Sequence, residues 1–129
     1  MNTEHDLEAI IRQAPHVLVE FLTDLGLAAP QSNDEFRRLV PALSEWTCNQ
    51  VVRPEDTAYL ASRLGAFICE YLRHVHAAAI VTRAGRITVL VPVQQGVVRE
   101  VDPFGVGWMI AVHGRPTLSE FLEAQLGPA

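Results

Sequence analysis

The sequence contains no lysine, and all ten of its basic residues are arginine. Without a lysine amine, the chain has no group for Schiff-base chemistry and no phosphate-binding lysine of the Walker type. It has only two cysteines, Cys48 and Cys69, and it lacks the ligand spacing of a structural zinc site. We therefore expect two buried, reduced thiols, with no metal and no cofactor.

Long apolar runs are also missing. A transmembrane helix needs about 20 consecutive apolar residues, whereas the apolar stretches here are short, such as residues 77–81. The first six residues are acidic and lack the basic and apolar regions of a signal peptide. These two absences predict a cytoplasmic protein that does not bind membranes.

Catalytic signatures are absent from the sequence as well. The chain has no Gly-x-Ser-x-Gly motif, no phosphate-binding glycine loop and no paired-carboxylate motif. Neither cysteine lies in a known nucleophile signature. We therefore predict that the protein is not an enzyme.

The negative charge is concentrated in the first half of the chain. Residues 1–70 carry five arginines against eleven acidic residues, and residues 71–129 carry five against four, which gives a net charge of −5. Nucleic acid would require clustered basic residues, so we expect no nucleic-acid partner. The acidic half is compatible with a solvated helix face that favours solubility, or with a basic protein partner reached by electrostatic steering. The candidate contact residues are Asp34, Glu35, Glu45, Glu55 and Asp56.

A chain of 129 residues with 49% hydrophobic residues has the size and composition of one globular domain, and we predict a single α+β domain over residues 1–129. Apolar residues recur at steps of three and four from Leu7 to Leu25, which predicts a first helix that stops at Gly26. Because Pro15 interrupts the hydrogen-bond ladder, we expect a kinked helix or two helices meeting there.

Two more helices follow in the first half. Ser32 and Glu35 form a capping box, which predicts the start of a second helix. Pro41 should bend that helix or restart it. Pro54 in the first turn predicts the third helix, whose apolar face continues to Val75.

The sequence then changes to β-prone segments separated by turn residues. Ala84 and Gly85 are typical of a tight turn, and a second turn is predicted at residues 94–96. Strands are predicted over residues 79–82, 86–91 and 97–101. Together they form a three-stranded antiparallel meander.

The segment after the meander can be interpreted in two ways. Asp102 and Pro103 are typical of a helix start and Gly114 of a helix end. We therefore predict a helix from residue 103 to residue 113, with a fourth strand over residues 106–112 as the alternative.

A last helix completes the predicted fold. Thr117 and Glu120 form its capping box, and Gly127 should end it. The predicted fold class is α+β: three N-terminal helices, a three-stranded antiparallel meander, then one or two C-terminal helices.

Phe104 and Trp108 are four residues apart, so on a helix they would share one face. Such a pair is often part of a core. It can also anchor a protein partner, because tryptophan is enriched at binding hot spots. Arg115 would then be an exposed contact at the rim of that surface.

A second candidate site lies on the predicted third helix. Glu70 and His74 are four residues apart, so both side chains can face one way. His76 would extend this cluster, but the spacing is not that of a zinc site, and we expect no metal. For a ligand-binding protein, the predicted pocket contains Glu70, Tyr71, His74 and His76, with Trp108 nearby.

The sequence also resembles a known type of protein. The run Leu-Gly-Ala-Phe-Ile-Cys-Glu-Tyr-Leu at residues 64–72, the meander, Asp-Pro-Phe at residues 102–104 and Ser-Glu-Phe-Leu at residues 119–122 carry the resemblance. They are similar to small uncharacterised bacterial domain-of-unknown-function proteins with an L-G-x-x-x-G-E helix and a later D/N-P-F turn. Some of these look like toxin-immunity partners. The resemblance covers about residues 60–125 and implies an α+β fold and a binding role.

The main functional hypothesis is a small cytosolic bacterial protein-binding module, in the form of an immunity protein that occludes a cognate toxin or another basic effector. A ligand-binding regulatory domain and an acidic secretion chaperone are the alternatives. A homodimer formed through an exposed apolar stripe is compatible with each of these functions.

Overall fold

The computed structural model describes residues 3–125, and these form an α+β arrangement of five helices and one three-stranded antiparallel sheet. The helices are α1 (Thr3–Asp24), α2 (Asn33–Cys48), α3 (Thr57–Val75), α4 (Pro103–His113) and α5 (Leu118–Gln125). The strands are β1 (Ala79–Arg83), β2 (Arg86–Pro92) and β3 (Val98–Val101). The predicted α+β class with its antiparallel meander is confirmed, and two helices follow the sheet. The predicted stop at Gly127 lies outside the described residues.

Helix α3 lies at the centre of the fold. The other large elements, α1, α2, α4 and the sheet, all contact it. Its side chains are buried on nearly every side between Leu60 and Leu72, as expected for a helix with apolar residues all round. The sites described below are therefore formed by α3 and the elements around it.

Helix α1 is one continuous element that contains Pro15. The prediction of two helices meeting at this proline is therefore wrong. Proline removes one helical hydrogen bond. Here the Pro15 ring is exposed, while Ala14 and Leu18 are 3% exposed and hold both sides of the helix in the core. Within residues 3–125, no helix is both long and apolar enough to cross a membrane.

Local hydrogen bonds fix the starts of α2 and α4 as predicted. The amide of Glu35 donates to Ser32 Oγ at 3.2 Å, which caps α2. The amide of Gly105 donates to Asp102 Oδ1 at 3.0 Å, which caps α4. These caps satisfy backbone N–H groups that have no partner within the first helical turn. The helix predicted over residues 103–113 is thereby confirmed, and the alternative strand is wrong.

The meander begins with a two-residue hairpin turn. Ala84 and Gly85 both have positive φ, +53° and +73°, which is the type I′ geometry that matches the twist of the flanking strands. Strand β2 is central and pairs with both neighbours. Its side chains alternate, and Ile87, Val89 and Val91 are buried against the helices. Strands β1 and β3 form the two edges of the sheet.

Helix α5 packs on α2. The amide of Ser119 donates to Oγ of Ser44, 3.1 Å away, and Ser44 is 6% exposed. Two further residues of α5, Leu118 and Leu122, are buried, with exposures of 0% and 1%. A buried hydroxyl of α2 therefore satisfies one of the unpaired N–H groups at the start of α5.

Candidate functional site

Helix α4 exposes large apolar side chains to solvent. Apart from His113 at its end, it carries no charged or titratable side chain. Three of its side chains are close to half exposed: Trp108 (49%), Met109 (49%) and Val112 (46%). We refer to these three residues as the α4 face. A helix that is apolar on all sides is usually buried on all sides. Because the α4 face is exposed, it has the composition of a surface that binds another molecule.

Two glycines set the orientation of α4. A Cβ atom at Gly107 would lie 2.5 Å from the carbonyl oxygen of Ala61 in α3, and a Cβ atom at Gly65 would collide with the ring of Phe104. Glycine, which has no Cβ, allows such a close approach of backbone. Because Phe104 meets Gly65 while Gly107 meets Ala61, α4 runs antiparallel to α3. The α4 face is on the side of the helix that points away from this contact.

The aromatic pair predicted from the sequence is divided between two environments. Phe104 is partly buried and packs over Gly65 of α3. Trp108 lies on the α4 face. Arg115 is exposed, directly after Gly114, which ends α4 in the left-handed conformation with φ +67°. Trp108 and Arg115 therefore remain accessible to a partner, whereas Phe104 contributes to a different site.

The five acidic residues predicted as partner contacts lie at three separate places. Asp34 and Glu35 are in the first turn of α2, Glu45 is near its end, and Glu55 and Asp56 precede α3. Arg37 lies 3.3 Å from the Asp34 carboxylate. Arg53 lies 2.9 Å from that of Asp56 and 3.6 Å from that of Glu55. Two local arginines thus offset part of this negative charge.

A groove of about 500 Å³ lies between α1 and the start of α4, over α3. One wall is formed by four apolar residues of α1, Leu7, Ile10, Ala14 and Val17. Ala66, Ile87 and Phe104 complete the apolar lining. We refer to this site as the α1–α4 groove. Its volume lies within the range of about 300–1,000 Å³ that is usual for small-molecule sites.

Two arginines and one aspartate line the same groove. The guanidinium of Arg63 lies 4.0 Å from the centre of the Tyr59 ring and donates to Ser62 Oγ at 2.9 Å. Asp102 is engaged in capping α4. Among the side chains that the structure describes, neither Arg63 nor Arg86 forms an ion pair with a carboxylate. The groove therefore combines an apolar wall with two cationic groups that lack a carboxylate partner.

The predicted Glu70 and His74 pair is part of an ion-pair cluster in which the carboxylate is buried and the two cationic partners, Arg73 and His74, are each 45% exposed. Glu70 is 2% exposed, and Arg73 donates to its Oε1 at 2.6 Å. Nε2 of His74 lies 3.7 Å from the same oxygen, and the His74 ring stacks on Phe36 with ring centres 4.9 Å apart. Glu70 and His74 line a second pocket of about 350 Å³. In the described part of the chain, no group of three or more His, Cys, Asp or Glu residues is placed to hold a metal ion.

Tyr71 and His76 do not line that pocket. Their ring centres are 6.0 Å apart, and Tyr71 lines another cavity together with Arg37. Burial raises the pKa of Tyr71, and Arg37 opposes this shift. Burial, assisted by the charge of Arg37, lowers the pKa of His76, whose Nε2 is buried with no hydrogen-bond partner among the described residues. Of the four predicted pocket residues, Glu70 and His74 thus share one cavity and Tyr71 lines a different one.

The two cysteines differ in environment. Cys69 is 2% exposed, and burial, reinforced by Glu70 and opposed by Arg73, raises the pKa of its thiol to about 12. A thiol with this pKa is protonated at neutral pH and is a poor nucleophile. Cys48 is exposed. The prediction of two buried thiols is therefore wrong for Cys48, because it ends α2 on the solvent side.

Comparison with family models, with curated proteins and with solved structures finds no match to this chain. The resemblance to small bacterial proteins of unknown function therefore stays a prediction. Two surfaces of the described residues remain accessible to a binding partner: the α4 face and the α1–α4 groove.

Sequence reasoning identified Trp108 but missed Met109 and Val112, and it missed both groove arginines. A signal for the α4 face is present, because an 11-residue helix with no charge before His113 has more apolar surface than one packing contact covers. No comparable signal exists for the groove. Its lining comes from four segments that are distant in the sequence.

Proposed function

We propose that this chain is a protein-binding module that contacts its partner through the α4 face. The observation that carries this proposal is the group of three nearly half-exposed apolar side chains, Trp108, Met109 and Val112, on a helix held in place by its glycine contacts with α3. Large aromatic side chains at the centre of an interface supply much of its binding energy. The proposal assigns no catalytic step to the chain.

The partner we propose is a basic protein with an apolar pocket for Trp108. The chain has a net charge of −5, so a basic partner is attracted over long range, whereas a second copy of the chain is repelled. Because Asp34, Glu55 and Asp56 already have arginine partners, we assign the long-range attraction to the net charge of the whole chain and not to direct contacts of these three residues. In its more specific form, the proposal is an immunity protein that covers the active site of a cognate toxin, a role supported by the acidic charge and the resemblance to immunity-type proteins.

Two matched valine substitutions test the contact surface. Val112 on the α4 face and Val19 on α1 are 46% and 45% exposed, and both lie on helices. Tagged wild type, Val112→Asp and Val19→Asp would be expressed in the native host and purified with their bound proteins. We expect a basic protein to co-purify with the wild type and with Val19→Asp, and to be lost with Val112→Asp.

The affinity of the recovered protein would then be measured with each purified variant by calorimetry at two salt concentrations. Val112→Asp places a charge at the centre of the proposed contact surface and should weaken binding by at least about tenfold, or roughly 1.4 kcal/mol. Val19→Asp should keep the wild-type affinity. Equal affinity of the two variants would overturn the assignment to the α4 face. A stable dimer of the chain alone that Val112→Asp dissociates would show that a second copy, not a basic partner, covers this surface.

A further inference from the structure

We infer that the α1–α4 groove binds a single-chain organic acid, an apolar acyl chain that ends in a carboxylate. This site is separate from the α4 face and does not depend on the proposed protein partner. It also differs from the pocket that the sequence predicted around Glu70 and His74. Three observations carry the inference: the shape of the groove, its charge and the fixed position of Arg63.

The shape of the groove suits an elongated apolar group. Its wall on α1 consists of Leu7, Ile10, Ala14 and Val17, spaced by three, four and three residues. Residues at these spacings form a continuous stripe on a helix. Ten residues separate Leu7 from Val17, and this corresponds to about 15 Å of helix. An unbranched chain lying along this stripe would also cover Ile10, which is 44% exposed.

The charge of the groove selects the end group of the ligand. Arg63 and Arg86 contribute two positive charges to the lining, and Asp102 contributes one negative charge. Asp102 Oδ1 already accepts the amide of Gly105 at 3.0 Å. A carboxylate on the ligand would supply the partner that both arginines lack among the described side chains, because guanidinium groups bind carboxylates with two parallel hydrogen bonds.

Arg63 is held in position before any ligand binds. Its guanidinium lies over the Tyr59 ring at 4.0 Å and donates one hydrogen bond to Ser62. Arginine has five N–H donors, so this arrangement leaves others free for a ligand. A cation that is already ordered loses less conformational entropy on binding than a mobile one. The partial burial of Arg63 also reduces the screening of its charge by water.

The test uses decanoate and decanol as probes, at concentrations below aggregation. The two compounds share a ten-carbon chain and differ in the charged end. Binding to the whole chain would be measured by calorimetry at neutral pH. We expect one decanoate per chain and a preference for decanoate over decanol of roughly threefold to tenfold, the range expected for ion pairs in a partly exposed site.

Three variants assign the binding to the groove. The double variant Arg63→Gln/Arg86→Gln should lose the preference for decanoate over decanol, because it keeps the apolar wall and removes both positive charges of the lining. Arg38→Gln is the matched control, since Arg38 is an exposed arginine that does not line the groove, and it should keep the wild-type preference. Gln13→Trp places a large side chain at an exposed position in the lining and should abolish binding of both probes. Circular dichroism would confirm that each variant is folded.

Several results would overturn the inference. These are no binding of decanoate, equal binding of decanoate and decanol by the wild type, or an unchanged preference in the double variant. Decanoate binding that survives Gln13→Trp would place the site elsewhere. If the protein sediments with phosphatidylglycerol vesicles but does not bind free decanoate, its ligand would be a membrane surface instead of a single-chain acid. A dimer that Gln13→Trp dissociates would show that a second copy fills the groove.

Discussion

Gly107 of α4 lies against the carbonyl oxygen of Ala61 in α3, so closely that a Cβ atom at position 107 would be 2.5 Å from that oxygen. This contact fixes how near the two helices approach. It also determines which side of α4 is buried, because a helix without charged residues before His113 has no polar side to set its orientation.

Substitution of Gly107 by alanine should therefore destabilise the protein. Alanine favours a helix over glycine by about 1 kcal/mol, but the added methyl group has no space against the α3 backbone. We expect a net loss of roughly 1–3 kcal/mol in the free energy of unfolding, typical of overpacking, measured by urea denaturation. Met109→Ala, at an exposed position on the same helix, should change this free energy by less than about 0.5 kcal/mol. Wild-type stability of Gly107→Ala would mean that α4 can move away from α3.

Removal of Arg73 should destabilise the protein by leaving the buried carboxylate of Glu70 with only His74 nearby. Breaking a fully buried ion pair costs about 3–5 kcal/mol. Because the Arg73 side chain is 45% exposed, we expect Arg73→Ala to cost roughly 1–3 kcal/mol. Adding Glu70→Gln to Arg73→Ala should recover part of this loss, since the buried charge is then absent. The measurement compares the free energies of unfolding of both single variants and the double variant. If the double variant is no more stable than Arg73→Ala, charge burial is not the cause of the loss.

The native protein should expose one reactive thiol. Cys48 is exposed, whereas Cys69 is buried with its pKa raised to about 12. Titration with 5,5′-dithiobis(2-nitrobenzoic acid) should therefore count about one thiol per native chain and two in denaturant. Cys48→Ser should give no rapid reaction in the native state. A rapid reaction in that variant would show that the α3 core opens readily around Cys69.

His76 should make the stability of the protein depend on pH below neutrality. Burial and Arg37 lower its pKa in the folded state below the ordinary value of 6.5. Between these two values, the unfolded chain binds more protons at this residue than the folded chain does. Its contribution to the free energy of unfolding is therefore complete above pH 6.5 and is lost as the pH falls through the folded-state pKa.

Replacement by glutamine should remove this dependence. Urea denaturation between pH 7.5 and pH 5.5 should show a smaller loss of stability on acidification for His76→Gln than for the wild type. His113→Gln, which changes an exposed histidine at the end of α4, serves as the control and should behave like the wild type. If acidification lowers the free energy of unfolding by the same amount in the wild type and in His76→Gln, His76 is excluded as the source of the pH dependence.

The features predicted correctly from the sequence are those determined by near neighbours in the chain. Ser32 and Asp102 each accept a hydrogen bond from a backbone amide three residues later, so the caps of α2 and α4 are recognisable without the rest of the fold. The turn at Ala84 and Gly85 is likewise local. Pro15 was harder to interpret, because its effect depends on which side of α1 faces solvent.

The features that were missed depend on contacts between distant segments. The charge of Arg63 matters because α1 and β2 place an apolar wall and Arg86 beside it, and no spacing within α3 indicates this. The division between Phe104 and Trp108 follows from the contact of Gly107 with α3. Both residues have the same apolar character in the sequence, and only tertiary packing distinguishes them.

The hydrogen bond from Ser119 to Ser44 joins segments that are 75 residues apart, and this separation has a consequence for protein synthesis. As the chain leaves the ribosome, α2 emerges long before α5, so the Ser44 hydroxyl must remain hydrated while α3, the sheet and α4 are made. Helix α2 can acquire its final surroundings only after residues 118–125 have emerged. A nascent chain stalled before that point would expose the surface of α2 that Leu118 and Leu122 later cover, and chaperones that recognise apolar surface could bind it there.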